Sequence, residues 1–174
     1  MPRSFPAALP IAHLALRILI VLNWLFGAAI LALLVATIVA EQWTMHALGV
    51  SPASEVRALI MPMRAIAVLG LVAIPLNAAV LRRLLAIVET VRSGDPFVAA
   101  NADRLQAIAW VLLALQLISI VIGAIGKTVS TPAHPLHLDA GFSVSGWLAL
   151  LLTFILARVF AEGTLMREDL QGTV

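Results

Sequence analysis

Four long uncharged runs, each fenced by charged residues, dominate the chain. They are Ile18 to Ala40, Ala65 to Leu81, Leu105 to Gly126 and Ala140 to Ala157. A helix needs about 20 apolar residues (range ~17–25) to cross a hydrocarbon core ~30 Å thick. All four runs meet that requirement, the second and fourth near its short end. Arg and Lys at their edges extend the reach by keeping their charged heads in the interface. The first run exceeds the ~7–15 residues of a signal-peptide core. Cleavage after Ala40 would also put bulky Ile38 where a small residue is needed. It is therefore expected to stay as the first membrane helix.

The least apolar interior stretch lies between the second and third runs. Leu81, Leu84, Leu85, Val88 and Val91 recur at helical spacing, so helix two is expected to continue past the bilayer as far as Arg92. That extension measures about 16 Å at 1.5 Å per residue. Glu89 and Arg92, three apart, make a minor stabilising pair. Gly94 suits a helix C-cap, since it takes positive φ without strain. Asp95-Pro96 then reads as a helix start, with Asp accepting from free amides and Pro in the first helical position. Helix three is expected from Pro96, with Asn101, Asp103 and Arg104 in water. The result is a helical hairpin tip, either a well-capped turn or a working surface. Phe97, an aromatic at that tip, must bury against its own hairpin or a partner. On the other side, Glu41 to Arg64 is longer than a tight turn. Val56, Leu59, Ile60 and Met63 fit either an amphipathic segment on the membrane surface or the start of helix two kinked at Pro62.

Composition agrees with the pattern. Of 174 residues, 62% are hydrophobic and only 11% charged, against about 25% charged in a soluble domain. The class is an all-α integral membrane four-helix bundle, taken as one domain over residues 1–174. With no Cys in the chain, disulfides, thiolate metal sites and cysteine nucleophiles are excluded. Net charge is only +2, so no basic patch points to direct nucleic-acid binding.

Basic residues set the orientation. Arg3, Arg17, Arg82, Arg83, Arg92, Arg104, Arg158 and Arg167 fall on one side, against Arg57, Arg64 and Lys127 on the other. Both termini and the hairpin between helices two and three are expected in the cytoplasm, with Trp43 as an outer interfacial anchor.

Packing signals are weaker. Ala28, Ala32, Ala36 and Ala40 make a small-residue ridge on span one; Gly141, Ser145, Ala149, Thr153 and Ala157 make another on span four. Such ridges favour close approach in lipid, either to each other or across a homodimer. Asn23, Asn77 and Thr153 each lie about five residues from the cytoplasmic end of their run, and Gln116 lies near the middle of span three. The first three are read as an intramembrane polar layer, serving as interhelical glue or as a ligand or ion site. Pro75 is expected to kink span two near that layer.

No ionisable residue lies inside any run, which argues against proton-coupled transport and intramembrane proteolysis. No in-membrane base is present to activate a nucleophile. The chain reads as non-enzymatic, with no cofactor. On the outer side, His134, His137 and Asp139, with Glu41 and His46, offer metal-ligand chemistry. Pro135 and the irregular spacing favour ordinary loop histidines. His13 receives no role.

Two segments carry a family resemblance. One is GDPFVAANADRLQAIAWVLLALQL, with Gly94, Pro96, Phe97, Asn101, Arg104, Leu105 and Trp110. The other is FSVSGWLALLLTFILARVFAEGTLMREDLQGTV, with Phe142, Gly146, Trp147, Ala157, Phe160, Glu162, Gly163, Leu170, Gly172, Thr173 and Val174. On these the chain resembles the DUF2975 family of bacterial four-helix inner-membrane proteins. The first span and outer loops match only in hydropathy. The resemblance implies no established activity. It does imply a partner, since members are often encoded beside a small helix-turn-helix regulator of the Cro/repressor type. The leading expectation is a regulatory or docking protein of the inner membrane. Its cytoplasmic surface is formed by Arg92, Phe97, Asn101 and Arg104 of the hairpin with Glu162, Glu168 and Asp169 of the tail. Tail acids are expected to hold the hairpin arginines, Arg82, Arg83, Arg92 and Arg104. The alternative is a structural subunit or small-molecule permease lined by Asn23, Asn77 and Thr153.

Overall fold

The structure, a computed structural model, describes residues 8–39, 54–130 and 140–172. Four helices account for nearly all of them: α1 Ala8–Val39, α2 Ser54–Arg92, α3 Ala99–Val129 and α4 Val144–Gly172. Each contains a stretch long and apolar enough to cross a membrane, so by length and composition this is a multi-pass membrane protein. No strand occurs among the described residues.

Each helix outlasts the apolar run that predicted it. The second includes Ser54 to Arg64, so of the two readings of that segment the structure has the start of helix two. Pro62 and Pro75 both sit inside this helix. The excess lies beyond the apolar runs, where a helix, satisfying its backbone internally, continues until a turn residue ends it. The fourth helix starts at Val144 rather than Ala140. Gly141 at φ +132 cannot join a helix, and the Ser143 hydroxyl accepts from the Gly146 amide (3.2 Å), supplying the start.

The helices pack in chain order. Among the described residues α1 packs on α2, α2 on α3 and α3 on α4, and no contact joins α1 to α3 or α4. The helices form a row in chain order. The two small-residue ridges therefore do not meet within the chain; Ala28 and Ala32 remain exposed, while Ala157 is buried on the inner side of α4. The core is a thin seam of Ile74, Ala78, Leu105, Ile108, Ala109, Leu150 and Ala157. Large apolar side chains cover the outside of all four helices, as lipid contact permits.

Contacts run the length of α1 and α2. His13 Nε2 lies 3.6 Å from Glu89 at one end. Gly27 sits against Ile74 midway, where an added Cβ would come within 2.9 Å of the Ile74 Cγ2. The Arg64 guanidinium donates to the Thr37 carbonyl at the other end, a cation on the negative end of α1. Between α3 and α4, Trp110 meets Phe154 edge-on at 5.5 Å. Farther along, Ser119 Oγ donates to the Gly141 carbonyl (3.3 Å) and accepts from its amide (3.1 Å).

Candidate functional site

The joint between α2 and α3 is the most polar place in the described chain, and it is built from the backbone outward. The Gly94 amide donates to Val91 O (3.1 Å) and the Asp95 amide to Thr90 O (3.0 Å). This double closure ends α2 in a Schellman motif, with Gly94 at φ +86 as its left-handed residue. Asp95, preceding a proline, is driven toward extended backbone. The chain stays extended through Val98 (φ −112, ψ 143), and α3 begins at Ala99 without a side-chain cap.

That start corrects the expectation of a helix from Pro96 capped by Asp95. Asp95 has a different partner. Its carboxylate accepts from Arg167 of α4, which also donates to the Phe97 carbonyl at 3.4 Å.

Asn101 corrects a second expectation. Rather than sitting in water, it is fully buried. Its amide nitrogen donates to Thr90 Oγ1 (2.7 Å) and to the Pro96 carbonyl (2.8 Å), while its oxygen accepts from Arg104 (2.8 Å). One side chain thereby ties the end of α2, the extended link and the first turn of α3 together. Burial is tolerable because both N–H groups and the oxygen are paired.

Phe97 finds its neighbours within the chain on α4. Its ring stacks at a tilt on Phe160 of α4 (5.3 Å) and lies over Gly163, leaving it 43% exposed. Arg167, Phe160 and Gly163 fall on one face of α4 at helical spacing, so the end of α4 clamps the joint by one ion pair and one aromatic contact.

The charge pattern of that clamp is the reverse of the one expected, because the tail provides the cation and the joint the anion. Glu162 pairs with Arg158 on its own helix (2.8 Å), Arg92 with Glu89 (3.3 Å), and Arg104 with Asn101. Asp169 is exposed, and the side chain of Glu168 lies outside the described residues, as do Trp43, Glu41, His46, His134, His137 and Asp139. Sequence reasoning missed Thr90, Phe160, Asp95 and Arg167 as partners. The last two are 72 positions apart, and no local pattern links them.

The polar layer does not assemble. Asn23 donates to the Ile74 carbonyl (3.0 Å), joining α1 to α2, and Thr153 Oγ1 donates to Ala149 O of its own helix (2.7 Å). Asn77 lies on an exposed face of α2. Since α4 packs on α3 alone, Thr153 cannot reach either asparagine. Gln116 instead faces α4, where its amide donates to Ser143 O at 3.5 Å.

The DUF2975 family model, described as a protein of unknown function, matches residues 50–174. The chain belongs to the DUF2975 family. No curated protein and no solved structure matches it. The match leaves out α1 and takes in the whole joint and clamp. In this DUF2975 chain the motif residues Gly94, Pro96, Phe97, Asn101, Phe160 and Gly163 therefore have a shared physical task, which is to hold the tip of one helical hairpin against the end of α4.

The clamp makes a small, distinct prediction. Asp95 and Arg167 side chains are each about two-fifths exposed, where an ion pair is worth ~0–1 kcal/mol. Asp95→Arg or Arg167→Asp alone should lower unfolding stability in mixed micelles by up to about 1 kcal/mol. The double swap should recover most of that loss.

Proposed function

We propose that this is a non-enzymatic protein of a bacterial inner membrane, with both termini in the cytoplasm, which docks a small helix-turn-helix regulator on the surface formed by the joint and the end of α4. The observation that carries this reading is the clamp. Asp95–Arg167 and Phe97–Phe160 bring two distant segments into one surface at one end of the helices. Around it stand exposed charges of both signs, Arg92, Asp103, Glu162 and Asp169. A mixed-charge rim around a half-exposed aromatic suits a protein partner. Asn101 supports the surface from beneath, and Arg104 is held by it.

The asymmetry of basic residues supports a cytoplasmic placement, since Arg82, Arg83, Arg92, Arg104, Arg158 and Arg167 all lie toward the joint end. A permease path through Asn23, Asn77 and Thr153 lacks comparable support, because these residues point to separate surroundings.

Co-purification tests the reading. The tagged chain, co-expressed with a small helix-turn-helix regulator of the Cro/repressor type, should retain that regulator through mild detergent. Removing residues 165–174 should abolish retention, and Arg92→Glu with Glu162→Arg should weaken it at unchanged membrane level. A regulator that washes through, or that stays bound without residues 165–174, would contradict the assignment.

A further inference from the structure

Among the described residues Asn77 is a polar side chain on an exposed face of α2 with no hydrogen-bond partner in the chain. It lies five residues from Arg82, about 7–8 Å deeper at 1.5 Å per residue, inside the segment apolar enough for hydrocarbon.

Being in the middle of the row, α2 has two open faces, and they differ chemically. Val68, Val72 and Pro75 are exposed on one. At 100° per residue Met63, Gly70, Asn77 and Leu84 fall on the opposite side, one every seven positions. The first face is apolar from Val68 to Pro75, as far as the exposed Arg82, and suits lipid. The second carries an amide that lipid cannot satisfy, and an unpaired amide in hydrocarbon is costly.

We propose that a second copy of this chain covers the Asn77 face, forming a parallel two-fold dimer in the membrane. The partner follows from the chemistry. Copies inserted in the same direction bring identical residues to the same depth across a two-fold axis. An amide carries both a donor and an acceptor, so Asn77 of each copy satisfies the other. A single asparagine on a heptad seam fixes register and partner number in the same way in coiled coils. This dimer is independent of the docking surface, because Asn77 lies within the spans and the joint lies beyond them.

The absence of Cys from the chain makes a clean test available in native membranes. Met63→Cys, exposed on the Asn77 line, should give an oxidant-dependent disulfide dimer; Val68→Cys, equally exposed on the other face, should give little. Adding Asn77→Leu to Met63→Cys should reduce the dimerisation constant about three- to thirty-fold, the equivalent of one interhelical hydrogen bond, and Asn77→Gln should restore much of it. Because leucine is at home in lipid, loss of cross-linking at unchanged membrane level reports association rather than misfolding. Equal cross-linking on both faces, cross-linking that survives Asn77→Leu, or a product heavier than two copies would overturn the proposal.

Discussion

Replacing Asn101 with leucine is expected to cost about 2–4 kcal/mol of unfolding free energy and to release α4 from the joint. The substitution preserves bulk and removes every polar contact of a side chain with no exposed surface. Thr90 Oγ1 and the Pro96 carbonyl each lose a donor, and Arg104 loses its acceptor. Buried groups left unpaired cost ~1–3 kcal/mol apiece, and two acceptors are left here. Thr90→Val serves as a calibrating partner. It removes one of the two donations while Asn101 keeps Pro96 O, so about 1 kcal/mol is expected. The consequence reaches α4 because the Pro96 carbonyl belongs to the link that carries Asp95 and Phe97. Freeing the link should loosen both clamp contacts at once. Denaturant titration in mixed micelles measures the stability, and protease sensitivity after Phe160 measures the release. Near wild-type values for Asn101→Leu would mean that the joint is held by its helix caps alone.

The second large effect is expected at the opposite end. A Cβ on Gly123 would lie 2.6 Å from the Ala140 carbonyl oxygen and 2.7 Å from the Gly141 Cα. Both neighbours are backbone, so no side chain can rotate aside. Gly141 is itself fixed by its φ of +132 and by its two hydrogen bonds to Ser119. Gly123→Ala should therefore push the entry to α4 away from α3. Overpacking of this kind costs about 1–3 kcal/mol, and loss of the Ser119 bonds adds to it. Gly70→Ala is the matched control: its Cβ would meet only the Ile30 methyl at 3.7 Å, and its stability in micelles should stay close to wild type.

The four membrane helices were legible in the sequence because lipid imposes one strong rule, an unbroken apolar run of sufficient length. Gly94 was legible for a similarly local reason, since a left-handed helix end favours glycine. The joint itself was not. Asp95-Pro96 is a sound helix start when read alone, and it fails because Arg167 on α4 takes the carboxylate. Asn101 looked solvent-exposed because its neighbours Asp103 and Arg104 are charged. Its burial depends on Thr90 and the Pro96 carbonyl folding around it. The charge pairing between tail and hairpin was foreseen with the wrong sign, as both segments carry both charges and only geometry selects Asp95 and Arg167. The row of helices was hidden for another reason: small-residue ridges on α1 and α4 signal that close approach is allowed without naming the neighbour.

The central claim is that the tip between α2 and α3 and the end of α4 form a single unit. Asp95→Cys with Arg167→Cys, introduced into this cysteine-free chain, tests it directly when native membranes are treated with a short bifunctional maleimide. The account predicts an efficient bridge within one chain, seen as a mobility shift of the monomer and lost when Asn101→Leu is added. Failure to bridge, or bridging only between separate chains, would contradict it.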